Sequence, residues 1–468
     1  MAGSQSNNEE LRDLPGPWGF PIVGSALSLI KYKEKSLSQW AEEDYGDVYK
    51  VRFGPTDTLV INGFEAFQEA FIEKATAYSG RLEAKVLKAA RDNKGLFFKQ
   101  YDDLWTKWRK FARESFTDIW HTIEDGIVTE TEHLQESLSK LEGESDIKEL
   151  VLSSMANVVM QTCFSRRYEA TDSALNDLVT LVYADIRDPK FTVLFLVPWL
   201  GRLPSMSRFI SNADSNRQKI IKKLLALADE RTAENRDTPD FVTSFYKVFE
   251  NPTREEKEFL AVLMEDFVFA GSTTTASAFL WVVLFMMKNP ETKKRMQQEL
   301  DNVLKGCPSP VRGAITHKKD ELHYTRAVIE ESFRLRPIAP TSLFHYVQED
   351  TSLMGYKVPK GMAVMPNIWS VHYDKKFWAP DPETFRAERH LDQSGAFKKS
   401  GHVIPFGIGW RSCVGQRIAE TEILADVVAM FYKFDVTIAA SDANVDMAGD
   451  SAAILSPYPF KLKFTPRN

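Results

Sequence analysis

The stretch 253–288 constrains this chain most, because it runs without an internal proline until Asn289-Pro290 closes it. Pro252, Thr253 and Glu256 supply a helix start, the last two at capping-box spacing. At 1.5 Å per residue such a helix measures about 54 Å. Its second half, 276–287, is apolar nearly all round apart from Ser277. A bilayer needs about 20 apolar residues, so this shorter run reads as a buried central helix.

At 468 residues the chain is long enough for several domains, yet no linker, repeat or low-complexity tract divides it. The expectation is one large, mainly α domain with a small β portion over 14–468. A leader at 1–13, rich in Ser, Asn, Glu and Asp, is expected to be disordered and carries no signal peptide. Hydrophobic residues at 43% and aromatics at 12% suffice for a large core. A net charge of −6 argues against a nucleic-acid binder. The three cysteines, Cys163, Cys307 and Cys413, are too few and scattered for a disulfide framework, and no C-x-x-C pair suggests zinc. The one N-x-T triplet, Asn251-Pro252-Thr253, is barred from glycosylation by its proline. Both features suit a reducing, cytosolic environment. Lys319-Asp320-Glu321-Leu322 spells a retention signal but is internal, and so has no such meaning.

Cys413 sits in Phe406-Gly407-Ile408-Gly409-Trp410-Arg411-Ser412-Cys413-Val414-Gly415, just before an apolar helical stretch. A thiolate that holds a metal needs nearby positive charge and N–H donors, which stabilise S⁻ over SH. The glycines let backbone approach a flat cofactor, Arg411 supplies charge, and the following helix presents its positive end. Within the long helix, Ala270-Gly271-Ser272-Thr273-Thr274-Thr275 lowers helix propensity and offers hydroxyls that bond back to carbonyls, loosening the helix locally. Glu331 and Arg334 share one helical face, as do Trp105 and Arg109. No flavin, NAD or iron–sulfur signature is present, so electrons for redox chemistry must come from outside.

The spacing F-x-x-G-x-R-x-C-x-G resembles the haem loop of the cytochrome P-450 family. Residues 270–275 resemble that family's oxygen-binding motif A-G-x-(D/E)-T-(T/S), Glu331 and Arg334 its E-x-x-R helix, and Trp105 and Arg109 its W-x-x-x-R helix. The likeness runs from Leu14 to the C-terminus. Ser79-Gly80-Arg81 and residues 334–340 look closest to the animal microsomal branch of drug-metabolising enzymes and steroid 17-alpha-hydroxylase/lyase.

The resemblance implies a cytochrome P-450 fold binding haem b (iron protoporphyrin IX), with Cys413 as axial ligand; in this family the thiolate pushes electron density toward O–O cleavage. Thr274 is implied as the proton-relay threonine, whereas Thr273 stands where the family usually carries an acid, which puts proton delivery in doubt. Trp105, Arg109, His345 and Arg411 are expected at the haem propionates, Phe406 in the haem loop, and Glu331, Arg334 and Arg389 in a buried ionic lock. Phe267, Ala270, Ala339, Thr341 and Ile454 are expected at an apolar substrate wall, together with the segment after Ser79-Gly80-Arg81.

The implied activity is hydroxylation of a small lipophile (steroid, fatty acid or xenobiotic) using dioxygen. Electrons would come from NADPH-cytochrome P-450 reductase, with cytochrome b5 as a further donor. Lys107, Lys110, Arg113, Lys398 and Lys399 are expected to form the positive patch that docks the acidic flavoprotein. The proline-rich run 14–21 looks like the hinge that follows the membrane anchor in microsomal members, which implies the cytosolic face of the endoplasmic reticulum membrane. The anchor is missing here, so a soluble cytoplasmic chain is the alternative. Residues 191–200 read either as a core helix end or as an entrance segment dipping into the lipid interface. Two rival functions remain: a same-fold isomerase or lyase of fatty-acid peroxides that needs no reductase, and a non-catalytic haem-binding protein.

Overall fold

The computed structural model describes every residue except 1–10, 20–23, 26–32, 54–55, 84, 170–171, 197, 235–236, 452–453 and 468. The chain forms two compact units, one of 1–82, 341–374 and 407–412, the other of 83–340, 375–406 and 413–468.

The first unit carries most of the strands: β1 (Val48–Phe53), β2 (Thr56–Ile61), β3 (Gly80–Arg81), β4 (His345–Tyr346), β5 (Thr351–Leu353), β6 (Tyr356–Val358) and β7 (Ala363–Pro366). Five of them form one sheet in the order β1-β2-β7-β4-β3, and β5 pairs β6 as a separate hairpin. In β1, Val51 and Phe53 are buried while Lys50 and Arg52 are exposed, the period of two expected of a sheet covered on one face. Central β7 is buried at every residue. The register of β3 against β4 places Arg81 opposite His345. Residues 1–10 of the expected disordered leader lie outside the described residues, but its end is ordered. Arg12 bridges to Tyr356, donates its N–H to the Gly355 carbonyl at 3.0 Å and lies 4.3 Å over the Tyr356 ring.

The second unit is built on helices, with β8 (Phe434–Ile438) and β9 (Leu462–Pro466) paired antiparallel at its C-terminal end. Thr253 and Glu256 form the capping box: the Thr253 hydroxyl accepts from the Glu256 N–H at 3.2 Å, and the Glu256 carboxylate accepts from the Thr253 N–H at 2.9 Å. The helix is not continuous, however. It runs as Arg254–Gly271 and Thr273–Lys288, with Ser272 belonging to neither half and its hydroxyl donating back to the Val268 carbonyl at 2.7 Å. Residues 276–286 are all buried, so their hydropathy serves the protein core. Beside the first half lies an aromatic cluster in which Trp108 stacks on Phe259 at 4.3 Å. Phe267 joins this cluster, packing 5.0 Å from both Phe116 and Phe241. Phe267, expected at a substrate wall, is buried in this cluster.

Asp266 is buried and accepts the Leu96 N–H at 2.6 Å. Gly95 beside it has φ +77°, and a Cβ there would lie 2.2 Å from the Asp266 carboxylate. Burial pushes the Asp266 carboxyl up to about 8, against the pull of the Leu96 N–H. The folded chain thus holds a proton that an unfolded Asp, at about 3.9, has released, so stability falls as pH rises between those values, by up to about 1.4 kcal/mol per pH unit. Asp266→Asn should make the fall of thermal midpoint between pH 6 and pH 8 shallower than in the parent. An equally steep fall in the variant would refute the raised carboxyl.

Candidate active site

The cysteine loop is shaped by backbone that only glycine tolerates. Gly409 has φ +74°, and a Cβ on it would come within 2.0 Å of the Phe71 carbonyl oxygen. The Cys413 N–H donates to the Phe406 carbonyl at 2.9 Å, and the Phe406 ring meets Phe333 edge-on at 5.6 Å. The loop is thereby tied to the His323–Leu335 helix. Cys413 is accessible to solvent yet crowded by protein, so desolvation raises its thiol, while the Gly415 N–H and Arg109 pull the other way. An accessible sulfur beside an N–H and a guanidinium is the setting a metal-bound thiolate requires.

Arg109 reaches this neighbourhood from the Asp103–Asp118 helix, which is capped by Asp102 accepting the Trp105 N–H at 2.7 Å. Its guanidinium lies 5.4 Å over the Trp105 ring. Desolvation and Arg113 push Arg109 down to about 10, leaving it charged at neutral pH. The buried Trp105 indole N–H donates to the Leu96 carbonyl at 3.1 Å.

In the first unit, Arg81, His345 and Arg411 gather. The His345 ring donates from Nδ1 to the Tyr78 carbonyl at 2.8 Å. Burial, followed by Arg81, holds its pKa well below the usual value, so the ring is neutral. A neutral ring donating from Nδ1 has only an acceptor at Nε2. The charge here belongs to buried Arg81, which bonds the Phe344 carbonyl at 3.4 Å, and to Arg411, which donates to the Ser79 carbonyl at 2.9 Å. Arg81 is not among the cofactor-binding residues that the sequence suggests. Strand pairing with residue 345, across more than 260 positions of sequence, brings it in.

The ionic lock forms with an extra member. Arg334 grips Glu331 through two bonds at 2.7 and 2.8 Å and donates to the Pro382 carbonyl at 2.7 Å. His390 adds a bond to Glu331 at 2.8 Å, and the Arg386 N–H another at 3.0 Å. Arg389 is the outer partner, 3.5 Å from Glu331 and bonded to the Trp378 carbonyl at 3.0 Å. Burial alone would raise the Glu331 carboxyl, but Arg334 and His390 outweigh it and hold the group below the usual range.

At the break in the central helix, the Thr274 hydroxyl donates to the Ala270 carbonyl. The Thr273 hydroxyl is buried without a hydrogen-bond partner among the described residues. Gly271 fits only because it lacks a side chain: a Cβ would sit 2.6 Å from Val159.

The cytochrome P-450 family profile matches residues 14–464. The chain belongs to the cytochrome P-450 family. Among its relatives, cytochrome P-450 2U1 of Homo sapiens is 26% identical over 439 residues, covering 90% of this chain and 79% of that protein. Cytochrome P-450 2E1 of Oryctolagus cuniculus is 27% identical, covering 97% and 93%. Steroid 17-alpha-hydroxylase/17,20 lyase of Peromyscus leucopus is 28% identical, covering 96% and 90%. Members of the family are haem-thiolate monooxygenases that bind haem b, so this chain is one. Its residues fit the group unit by unit: the second carries an accessible sulfur suited to iron with Arg109 beside it, and the first carries Arg81 and Arg411, cations of the kind a carboxylate needs.

Ala270, Ala339 and Ile454 are half-buried, and the Leu455 N–H bonds the Ile338 carbonyl at 2.8 Å, bringing the last two segments together. Thr341 is buried, in the first unit. Lys110 pairs with Glu114 at 3.8 Å and Lys399 with Glu420 at 2.6 Å. Lys107 lies 5.0 Å over Phe249, while Arg113 and Lys398 are exposed. Lys319 feels charges of both signs, from Arg326 and Arg417 and from Glu420 and Asp320. Burial and then Arg326 lower the Lys319 pKa, with Arg417 adding to the effect.

Proposed function

We propose that this cytochrome P-450 hydroxylates a small lipophilic substrate, a steroid, fatty acid or xenobiotic, at the cytosolic face of the endoplasmic reticulum membrane. Electrons come from NADPH-cytochrome P-450 reductase, with cytochrome b5 as a further donor. When bound, haem would supply dioxygen activation. Cys413 would hold the iron, Arg109, Arg81 and Arg411 would be the cations available to its propionates, and Thr274 would move protons toward oxygen. The observation that carries the reading is the break in the central helix at Ser272, where the Thr273 and Thr274 hydroxyls follow directly on the interrupted backbone ladder. A lipophilic substrate is favoured by the half-buried apolar residues Ala270, Ala339 and Ile454. Exposed Val193, Trp199 and Leu203, beside a helix whose Leu194 is buried, favour contact with a lipid interface. The exposed cations Arg113 and Lys398 suit an acidic flavoprotein.

A spectral-shift screen of steroids, fatty acids and xenobiotics, followed by turnover with NADPH and reductase, tests this reading. Oxygenated product that needs both supports it. The neutral Thr273 favours the isomerase or lyase reading, which predicts turnover of a fatty-acid peroxide with neither. Thr273→Glu is expected to raise the share of NADPH electrons recovered in product severalfold, because a carboxylate can carry the proton that a hydroxyl without a partner cannot. An unchanged share would mean that the missing acid has no consequence.

A further inference from the structure

The break at Ser272 has a partner outside the helix. Tyr183, on the Ser173–Arg187 helix, is buried. Its phenol oxygen accepts the Thr273 N–H at 3.3 Å, donates to the Phe269 carbonyl and lies 3.0 Å from the Ser272 hydroxyl. In an uninterrupted helix the Thr273 N–H would donate to that same Phe269 carbonyl, four residues back. The phenol stands inside this bond, and such insertion of a side chain into the ladder is an established cause of helix kinks. Its position is fixed from both sides. The Tyr183 ring packs 5.4 Å from Phe269. Arg91 ties the two helices together, donating to the Val182 carbonyl at 2.8 Å while pairing with buried Glu265 and lying 5.0 Å from the Phe269 ring.

We propose that Tyr183 is a positioning residue for dioxygen activation: its hydroxyl, spliced between the Thr273 N–H and the Phe269 carbonyl, holds the central helix open at Ser272 and so sets the Thr274 hydroxyl. In a chain that lacks the usual acid at 273, this phenol is what keeps the hydroxyl groove formed. The proposal rests on Thr274 as the proton-relay residue, and its test separates the two.

Tyr183→Phe keeps the ring against Phe269 and removes only the oxygen. In the haem-loaded full chain, amide hydrogen exchange at Thr273 should slow at least fivefold as the vacated ladder bond closes. With P-450 reductase and no added organic substrate, the share of oxidised NADPH released as peroxide (NADPH + H⁺ + O₂ → NADP⁺ + H₂O₂) should rise at least twofold, as it should in Thr274→Ala. Unchanged or faster exchange overturns the proposal. Slower exchange with an unchanged peroxide share, while Thr274→Ala alters it, also overturns it. If neither variant alters the share, the relay reading of Thr274 falls and this proposal with it. Failure of both Tyr183→Phe and Tyr183→Leu to take up haem would mark the phenol as a folding determinant instead, which also overturns it.

Discussion

Cys413→Ser is expected to abolish the red-shifted carbon monoxide band of thiolate-ligated haem and to lower recovered haem per chain at least tenfold. Serine is nearly isosteric, so the loop should persist: the Cys413 N–H bond to Phe406 is a backbone bond, and the Gly409 turn depends on the absence of a side chain at 409, not on the residue at 413. What changes is the donor atom. The Gly415 N–H and Arg109 favour an anion at this position, but a hydroxyl ionises at far higher pH than a thiol and makes a poor soft ligand. Spectra of the reduced protein under carbon monoxide, with haem quantified independently, check this. A variant that retained both the band and the haem would disprove ligation by Cys413.

Arg334→Ala is expected to destabilise the protein by about 3–5 kcal/mol, the usual consequence of leaving one half of a buried pair behind. Glu331 has no exposed side-chain surface and would keep only His390, the Arg386 N–H and the more distant Arg389. Arg334→Lys keeps the charge but not the two-pronged bond, so it should fall between parent and Ala. The pH dependence has a definite sign. Glu331 ionises below its ordinary value in the folded chain, so its contribution is fully present above the unfolded value of about 4.3 and is lost as pH falls through the folded one. The gap in thermal midpoint between parent and Ala variant should thus be widest near neutrality and narrow below about pH 4. A gap of the same size at both pH values would show that Arg334 acts through packing alone.

Local features were legible from sequence because they depend on neighbours within one or two turns. The capping box at Thr253 and Glu256, the apolar second half of the central helix, the paired Glu331 and Arg334, and the glycine turn before Cys413 all formed as their spacing implies. The weakness of the helix at 270–275 was legible too, but neither its place at Ser272 nor its cause. The phenol responsible comes from residue 183, on another helix.

What the sequence alone determined is the family and the cysteine loop, since spacing along the chain fixes geometry wherever only a few bonds separate the groups. Tertiary structure decided the partners. It gave the Trp105 indole to Leu96, turned His345 into a neutral acceptor while Arg81 and Arg411 kept the charge, added His390 to the lock and sent Phe267 into the aromatic core. Each is a question of which buried donor meets which acceptor, or which ring fills which gap. Such groups must be satisfied wherever the fold brings them together, and no local pattern records that meeting.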